Sequence, residues 1–498
     1  MLKKERIQYI VFAAIVAFSF LTICSRSSFI YIFNNWDDAN SYFTMGKVMM
    51  NGGVIYRDSF DQKGPLLYFI YGIAYLISHT TFWGVFIMEM MSFTLFLMAI
   101  YKIAVLYVKH IWACFTLPFV ALVVTASQSF YWGGSAEEFC LPFLAWALYL
   151  SMRYFKEGYP EKISRKTVFV GGILAGCIML IKYTVLGLCF FWMAMIAFST
   201  FNKKNWKTSV QNCVVFLLGM GTPLIPWLIY FGIQGALGDW YHAYIYCNVF
   251  LYSDFNQEAV GIGKKIYDLA KILYWLIWDN FIYFSMIILG FVGFLFTKKA
   301  RWFEKINVLG MFGFLFLGIF IGGTTLFYYS LPLSLFSVFG VTLLASGLEK
   351  WMDKILVHKK AMIAVGTCAV IGSLFFAWNF SMNTDYAKET PEDYYLYKMR
   401  DVVLQEENPT LLNIGCLDAG LYTMTGIVPN CKYFQTNAVN GFEEVREEQL
   451  RYIKEGEIQF VLARGEYPEQ IWDNYELVCE EEYLLWKEPL TYYLFQKK

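Results

Sequence analysis

The stretch Trp36–Leu67, WDDANSYFTMGKVMMNGGVIYRDSFDQKGPLL, follows the first long apolar segment of the chain. It concentrates ionisable side chains that are scarce in the apolar segments around it: Asp37, Asp38, Lys47, Arg57, Asp58, Asp61 and Lys63. Charge beside a membrane is costly unless it is paired or has a function. The stretch therefore marks where we expect the chemistry of this chain to be concentrated.

Composition defines the class of protein. Of 498 residues, 58% are hydrophobic and only 16% are charged, whereas a soluble domain has about 25% charged residues. Apolar runs of about 20 residues recur, and each is long enough to cross a bilayer core of roughly 30 Å. Such runs suit helices rather than a barrel. The chain is predicted to be a polytopic α-helical membrane protein, and its net charge of zero suggests no nucleic-acid partner.

Basic clusters between the apolar segments orient the chain. The segments lie at roughly 9–31, 65–79, 82–108, 111–130, 137–154, 167–182, 184–201, 211–231, 272–297, 306–322, 325–347 and 361–380. Basic residues follow many of them, at Lys109 and within 153–166, 203–207, 298–305 and 350–360. Lysine and arginine favour the cytoplasmic side, so we expect these groups to face the cytoplasm.

The segment 65–79 is the exception, because a full span there would put the following basic clusters outside. A helix of that length reaches only about 22 Å, so we interpret it as lying in or dipping into the outer face. About eleven spans remain, with the N-terminus cytoplasmic and the C-terminus outside. The predicted domains are a transmembrane domain at 1–381, with a first external loop at 32–81, and an extracytoplasmic domain at 382–498.

The C-terminal region differs in composition from the rest. From Met382 onward there are 22 acidic against 11 basic residues. Strand-like pieces (LLNIG, IQFVLA, YYLFQ) alternate with a helix-like one (EEVREEQLRYIKEG), which predicts a small α/β domain. Cys416, Cys431 and Cys479 leave one disulfide possible there, and the other cysteines are expected to be buried apolar residues.

The outer face offers carboxylates and lysine rather than histidine. The chain has four histidines, and the HExxH, GxSxG, SxxK and P-loop patterns are absent, so serine and zinc hydrolysis have no support. A carboxylate near a membrane can act as a general base, and lysine can hold a phosphate. Composition alone fits equally well a polar interfacial loop whose acids simply pair with Arg57 and Lys63.

The order of motifs resembles the first external loop of GT-C glycosyltransferases, in the protein O-mannosyltransferase-like branch that includes lipid A aminoarabinose transferases. The likeness is carried by Asp37-Asp38 with Tyr42, by Gly53-Val54-Ile55-Tyr56 and by Lys63-Gly64-Pro65-Leu66. It extends to the acids of SAEEFCLPF and to the tyrosines of TTLFYYSLPL. The chain departs from the family at Asp38, where glutamate is common, at Gly64, and at Glu89, where arginine is frequent. We expect Lys182 or Lys102 to partner Glu89.

The resemblance implies a GT-C fold and roles for individual residues. Asp37 would be the base that activates the acceptor hydroxyl, and Asp38 would share or tune that role. Lys63 would hold the donor phosphate. The residues implied in binding donor phosphate or sugar are Lys63, Glu137, Glu138, Lys182, Tyr328 and Tyr329. Tyr42, Tyr56, Arg57 and Asp61 are further candidates; Asp58 and Asp61 serve equally well as structural partners of Arg57 and Lys63.

The implied reaction moves a sugar from a polyprenyl-phosphate donor to a hydroxyl of a cell-envelope glycan, lipid or protein, by single displacement with inversion. Some GT-C enzymes use a divalent cation, which the acids here could support, although their spacing does not demand one. The outward loop 232–271 could cover the donor or belong to an interfacial aromatic belt. The composition suggests a bacterial plasma membrane. The alternatives are a transporter or flippase of lipid-linked sugars, for which internal repeats are expected but not seen, and an envelope-glycan polymerase or ligase.

Overall fold

A computed structural model describes residues 3–159, 161–201, 205–251, 261–352, 359–436, 443–485 and 488–498. Its α-helices are α1 Lys3–Cys24, α2 Asp37–Met50, α3 Pro65–Ile77, α4 Trp83–Ala104, α5 His110–Thr125, α6 Ala136–Arg153, α7 Arg165–Met179, α8 Gly187–Phe201, α9 Trp206–Gly221, α10 Ile225–Ile233, α11 Leu237–Trp240, α12 Ile262–Asp279, α13 Phe281–Phe296, α14 Trp302–Phe320, α15 Ser337–Met352, α16 Lys359–Phe380, α17 Tyr395–Val403, α18 Leu421–Thr425, α19 Glu443–Glu455 and α20 Ile471–Asn474. The strands are β1 Leu411–Ile414, β2 Phe460–Arg464, β3 Tyr475–Leu485 and β4 Glu488–Lys497.

Short helical turns of other types complete the chain. The 3₁₀ segments are Gln128–Phe130, Tyr183–Leu186, Thr222–Leu224, Phe327–Phe336, Thr384–Lys388 and Pro391–Asp393, and the π-helical segments are Tyr154–Gly158 and Tyr241–Leu251. Two compact units divide the chain. The first unit comprises Met1–Ser25, Glu89–Trp227 and Ala259–Thr384, and the second comprises Arg26–Met88, Leu228–Glu258 and Asp385–Lys498.

Long apolar helices make up most of the first unit. Within the described residues, six helical segments are long and apolar enough to cross a membrane, or seven if one bent pair counts as a span. Three shorter apolar helices, Pro65–Ile77, His110–Thr125 and Ala364–Phe380, stand beside them. The chain is thus a multi-pass helical protein of the predicted class, while the count of eleven spans and the orientation stay predictions.

One predicted span is broken. The segment 272–297 was expected to be a single helix, but α12 and α13 meet at an angle of 108° around Asn280. The Asn280 side chain accepts a hydrogen bond from the Ser129 backbone N–H at 3.1 Å and donates to Ser330 Oγ at 3.4 Å. These contacts lie where the helix turns and bind it to neighbouring segments. The predicted loop 232–271 is also helical at both ends, and its residues 252–260 lie outside the described part.

The C-terminal strands belong to the second unit and form one sheet of order β1-β2-β4-β3. β1 pairs with β2 in parallel, and the other two pairings are antiparallel. The three strand-like pieces and the helix-like piece of the sequence form β1, β2, β4 and α19. β3 was not predicted, because its acidic run Glu480–Glu482 interrupts the alternation of apolar and polar residues that indicates a strand.

The second unit also contains α2, which buried polar contacts join to the C-terminal region. Thr44 Oγ1 donates to Asp418 Oδ2 at 2.7 Å, and Lys47 Nζ donates to the Tyr422 carbonyl at 2.5 Å. Lys47 is fully buried, and burial lowers its pKa to about 7, although nearby Asp418 counteracts this. Burial likewise raises the pKa of Asp418 to about 6. These contacts fix the helix that begins with the acidic pair.

All eleven cysteines are free thiols, including Cys416, Cys431 and Cys479, so the structure contains no disulfide in the C-terminal region. Some basic residues used for the topology prediction, Lys203, Lys204 and Lys354, lie outside the described residues.

Candidate active site

Asp37 and Asp38 occupy the first turn of α2, after Trp36 at the N-cap position. Carboxylates are favoured there because the unpaired N–H groups of a helix start carry partial positive charge. The Trp36 N–H donates to Asn34 Oδ1 at 3.1 Å, and Asn40 Nδ2 donates to the Asn34 and Trp36 carbonyls. These hydrogen bonds fix the backbone at the start of α2, and they thereby fix the positions of Asp37 and Asp38.

Arg464, the last residue of β2, binds the Asp37 carboxylate in a two-pronged contact. Its Nη2 lies 2.7 Å from Oδ2 and its Nη1 lies 3.2 Å from Oδ1. Both side chains are 20% exposed. Burial raises the pKa of Asp37, an effect that the Arg464 charge opposes and the Asp38 charge reinforces. Asp37 is thus an oriented, partly accessible carboxylate with more than ordinary basicity.

Lys63 lies in a turn that three tyrosines hold. Tyr56 Oη donates to the Lys63 carbonyl at 2.7 Å, and the Lys63 N–H donates to Tyr68 Oη at 2.8 Å. Tyr68 Oη in turn donates to Asp61 Oδ2 at 2.7 Å, and Lys63 Nζ lies 5.7 Å from the centre of the Tyr42 ring. Burial raises the pKa of Asp61, and Lys63 opposes the shift. The structure therefore groups four candidates from the sequence: Tyr42, Tyr56, Asp61 and Lys63.

Tyr56 holds an uncommon backbone conformation, with φ of 71°. A non-glycine residue in this left-handed region costs about 1–3 kcal/mol and is retained where the surroundings fix it. Here the Tyr56 N–H donates to the Ser59 carbonyl at 2.8 Å, and the ring is buried. The strained residue also supports the Lys63 turn, because the Tyr56 hydroxyl donates to the Lys63 carbonyl.

Arg57 and Asp58 form an exposed pair, in contrast to the groups above. Arg57 Nε lies 2.7 Å from Asp58 Oδ1, and both side chains are about 40% exposed. Asp58 Oδ2 also accepts from the Val54 N–H at 2.7 Å, and Arg57 Nη1 donates to the Gln234 carbonyl at 2.9 Å. The sequence left Asp58 open as a site residue or as a structural partner of Arg57. The contacts observed here are those of a structural partner.

The first unit contains a second cluster, built on Glu137 and Lys182. Lys182 Nζ forms an ion pair with Glu137, whose side chain is 1% exposed. The same ammonium group lies 3.6 Å from the centre of the Tyr329 ring and 5.8 Å from that of Tyr328. A cation this close to an aromatic face is attracted by the ring. Four sequence candidates therefore meet here.

Glu138 has a different environment from its neighbour Glu137. One of its carboxylate oxygens accepts the Gly134 N–H at 2.8 Å, and the Glu89 carboxylate lies nearby. Ser25 Oγ donates to the Glu89 carboxylate at 2.9 Å. Lys182 pairs with Glu137, and Lys102 lies over the rings of Tyr9 and Tyr101, while the expected lysine partnership of Glu89 stays a prediction.

Arg464 is the residue that sequence reasoning missed. It belongs to the C-terminal region, 427 positions from Asp37, so no local spacing joins the two. The available signal is a single basic residue that immediately follows the buried run FVLA. Among the described residues, no group of three or more histidine, cysteine, aspartate or glutamate side chains is arranged to hold a metal ion.

Comparison with known proteins finds proteins of similar structure but none of similar sequence. No family model matches the chain, and no curated protein matches it in sequence. The crystal structure of ArnT from Cupriavidus metallidurans bound to undecaprenyl phosphate is similar, with a TM-score of 0.64 at 11% identity over 99% of this chain and 98% of that one. The crystal structure of ArnT from Cupriavidus metallidurans in the apo state gives a TM-score of 0.61 at 12% identity, over 98% of this chain and 97% of that one.

An archaeal oligosaccharyltransferase, AglB from Archaeoglobus fulgidus in complex with an inhibitory peptide and a dolichol-phosphate, gives a TM-score of 0.48 at 11% identity, over 93% of this chain and 70% of that one. The likeness to ArnT extends over nearly the whole of both chains and supports the predicted GT-C fold. At such identity it concerns the fold alone. The O-mannosyltransferase-like branch stays a prediction.

Proposed function

We propose that this protein is a membrane glycosyltransferase that moves a sugar from a polyprenyl-phosphate donor to an acceptor hydroxyl on the outer face of the membrane. The observation that carries the proposal is the carboxylate of Asp37, oriented by Arg464 and adjacent to Asp38, in a chain with the fold of ArnT. ArnT was crystallised with undecaprenyl phosphate, which makes a lipid-phosphate donor the natural class to test.

Asp37 is the proposed base. Its carboxylate takes the proton of the acceptor hydroxyl while the hydroxyl oxygen attacks the anomeric carbon. The bond between that carbon and the donor phosphate oxygen breaks, and the polyprenyl phosphate leaves with the electron pair. One displacement of this kind inverts the anomeric centre. The phosphate is already a good leaving group, so no acid has to protonate it.

Arg464 acts through Asp37 and is therefore proposed as a positioning residue. Its two N–H contacts fix the plane of the carboxylate, and its charge keeps that carboxylate ionised despite burial. Asp38 adds negative charge next to Asp37 and so supports its basicity.

Lys63 is proposed to bind the donor phosphate as a point charge. Tyr42, Tyr56 and Asp61 hold the turn that presents it. In the first unit, Lys182 with Glu137, Tyr328 and Tyr329 is proposed to bind phosphate or sugar hydroxyls. Glu138, engaged with Glu89, is proposed to fix the start of α6 beside them.

The acceptor is proposed to be a glycan, lipid or protein of the cell envelope, and the enzyme to be in a bacterial plasma membrane with its C-terminal region outside. The sugar is a hexose or a pentose. The predicted O-mannosyltransferase-like and aminoarabinose-transferase-like relationship belongs to this proposal, and the reaction as written needs no resident cofactor.

The test measures transfer of tritiated hexose or pentose from undecaprenyl phosphate to envelope fractions by purified protein in lipid. Asp37→Asn should lower the rate by about 10²–10⁴-fold, the usual contribution of a general base. Binding of undecaprenyl phosphate should not change. Asp58→Asn is the matched control, because it removes an exposed carboxylate from the same loop and should keep the activity.

Equal transfer by wild type and Asp37→Asn would refute the base assignment and leave Asp38 and Glu138 to be tried. Absence of transfer from every donor, combined with movement of labelled lipid between leaflets, would replace the enzyme by a carrier. The envelope fraction that acquires label identifies the acceptor class.

A further inference from the structure

A pocket of about 470 Å³ lies in the first unit, beyond the C-terminal end of α4. The loop Val105–Lys109, Lys299 and three residues of α15, Ser346, Glu349 and Lys350, line it. Its volume is within the range of about 300–1,000 Å³ that is usual for small-molecule sites. No residue of the candidate active site borders it.

The pocket carries an excess of positive charge. Lys109 Nζ lies 3.6 Å from Glu349 Oε1, so one lysine is balanced by the only acid of the lining. Lys299 and Lys350 are exposed at the rim, and within the described residues neither ammonium group has a carboxylate partner. Lys156 Nζ lies 3.6 Å from the centre of the Tyr107 ring, but Glu304, which accepts a hydrogen bond from the Tyr107 hydroxyl, balances this further cation. The excess therefore rests on Lys299 and Lys350.

An apolar cleft of about 70 Å³ adjoins this polar pocket, and Tyr107, Lys299 and Ser346 line both. The rest of the cleft is lined by Ile103, Gly290, Gly293, Phe294, Thr297, Phe339, Thr342 and Leu343. α13 and α15 pack closely here: a Cβ on Gly290 would lie 2.3 Å from the Gly340 nitrogen. A cationic pocket thus continues into a cleft between two apolar helices.

The position in the first unit separates this feature from the candidate active site. Glu137 is in the first turn of α6 and Arg153 is its last residue, about 24 Å apart along the helix axis at 1.5 Å per residue. Lys156 follows Arg153 and reaches the pocket wall at Tyr107. Lys109, Lys156, Lys299 and Lys350 come from four separate basic groups that the sequence assigns to the cytoplasmic side, and the structure brings them together.

We propose that this pocket binds the headgroup of an anionic phospholipid, with the start of one acyl chain in the adjoining cleft. Lysines attract the phosphate and favour anionic lipid headgroups over neutral ones. The adjoining cleft favours a lipid over free phosphate, because only a lipid occupies both parts. The site does not depend on the proposed transferase activity.

The test is native mass spectrometry of the full-length protein with phosphatidylglycerol, phosphatidylcholine and inorganic phosphate. The wild type should retain phosphatidylglycerol in preference to phosphatidylcholine. The double variant Lys299→Gln/Lys350→Gln should lower the occupancy by phosphatidylglycerol about tenfold or more. The control Lys162→Gln/Lys166→Gln makes the same change of charge in another basic group and should retain the lipid. Elution volume and melting temperature verify that each variant is folded.

Three results would overturn the proposal. Equal losses in both double variants would show only a general charge effect. Full displacement of the lipid by millimolar inorganic phosphate would identify a site for free phosphate. A Ser346→Trp variant that is folded and keeps full phosphatidylglycerol binding would show that no acyl chain occupies the cleft, because the indole ring should obstruct the junction without changing the charge.

Discussion

Two carboxylate–cation pairs, Asp37 with Arg464 in the second unit and Glu137 with Lys182 in the first, are built for different tasks. The first pair joins the start of α2 to the end of a C-terminal strand, and both of its side chains are 20% exposed. The second joins two neighbouring helical segments under tyrosine rings, with Glu137 1% and Lys182 11% exposed. Accessible and buried pairs of the same chemical type thus coexist in one chain.

The difference matters for catalysis because a base must exchange a proton with a substrate. Asp37 has room for an acceptor, and burial gives it raised basicity. Glu137 is enclosed with its lysine, which suits a fixed pattern of charge that a donor meets without rearrangement. We infer that the partly accessible Asp37–Arg464 pair supplies the proton chemistry and that the buried Glu137–Lys182 pair supplies a preorganised electrostatic environment.

After Asp37→Asn, the largest expected effect comes from breaking the buried pair. Lys182→Met should lower transfer by about 10²–10³-fold, the usual loss when one preorganised electrostatic donor is removed. Lys102→Met is the control, since Lys102 also lies over tyrosine rings and should leave transfer intact. The double variant Glu137→Gln/Lys182→Met should regain melting temperature but not transfer. Recovered transfer would mean that Lys182 only neutralises Glu137.

The attachment of α2 can be broken at Lys47. Lys47→Met should lower the free energy of unfolding by about 1–3 kcal/mol, because the buried Tyr422 carbonyl loses its donor and Asp418 loses a nearby positive charge. Loss of that cation raises the Asp418 pKa further above its ordinary value. A carboxyl whose folded pKa is raised stabilises the fold below the unfolded pKa and loses this contribution as pH rises through the folded pKa.

The loss in Lys47→Met should therefore be greater at pH 8 than at pH 5. Thermal unfolding of the purified protein at both pH values measures it, with the exposed Lys454→Met as control. A loss that does not depend on pH would contradict the assigned coupling between Lys47 and Asp418.

Arg464→Gln should have a smaller and pH-dependent effect. The Arg464 charge lowers the pKa of Asp37, so its removal raises that pKa, and the base becomes protonated at a higher pH. Transfer should fall about tenfold at pH 6 and recover in part at pH 8, the direction expected when a cation that favours the charged form is lost. Arg464→Lys should retain an intermediate profile.

A merely structural role for Arg464 would lower transfer equally at every pH and would also lower the melting temperature. Arg451→Gln is the control, because Arg451 binds Glu448, Glu455 and Glu457 on the surface. Its profile should match that of the wild type.

The smallest effect is expected for Arg57→Gln. Exposed ion pairs contribute little, and Arg57 pairs with Asp58 in an exposed position. Transfer should change less than about twofold under the conditions used for Lys182→Met. A large loss would show that Arg57 binds substrate and would remove the distinction between exposed and functional pairs in this loop.

The sequence predicted the features that depend on local pattern. Apolar runs indicated the membrane helices, and the alternation in LLNIG, IQFVLA and YYLFQ indicated β1, β2 and β4. Pro65, whose fixed φ suits a first helical position, indicated the start of α3. The acidic β3 and the break at Asn280 were missed, because a side-chain pattern does not report strand pairing or the direction of a helix after a turn.

The sequence by itself thus determined a multi-pass helical protein with ionisable side chains concentrated in the stretch Trp36–Leu67, because hydrophobicity and charge are properties of short segments. Tertiary structure alone decided the partners of the acids: Arg464 for Asp37 and Lys182 for Glu137. The members of these two pairs are 427 and 45 positions apart. Electrostatic pairing depends on distance in space, and no spacing along the chain encodes it.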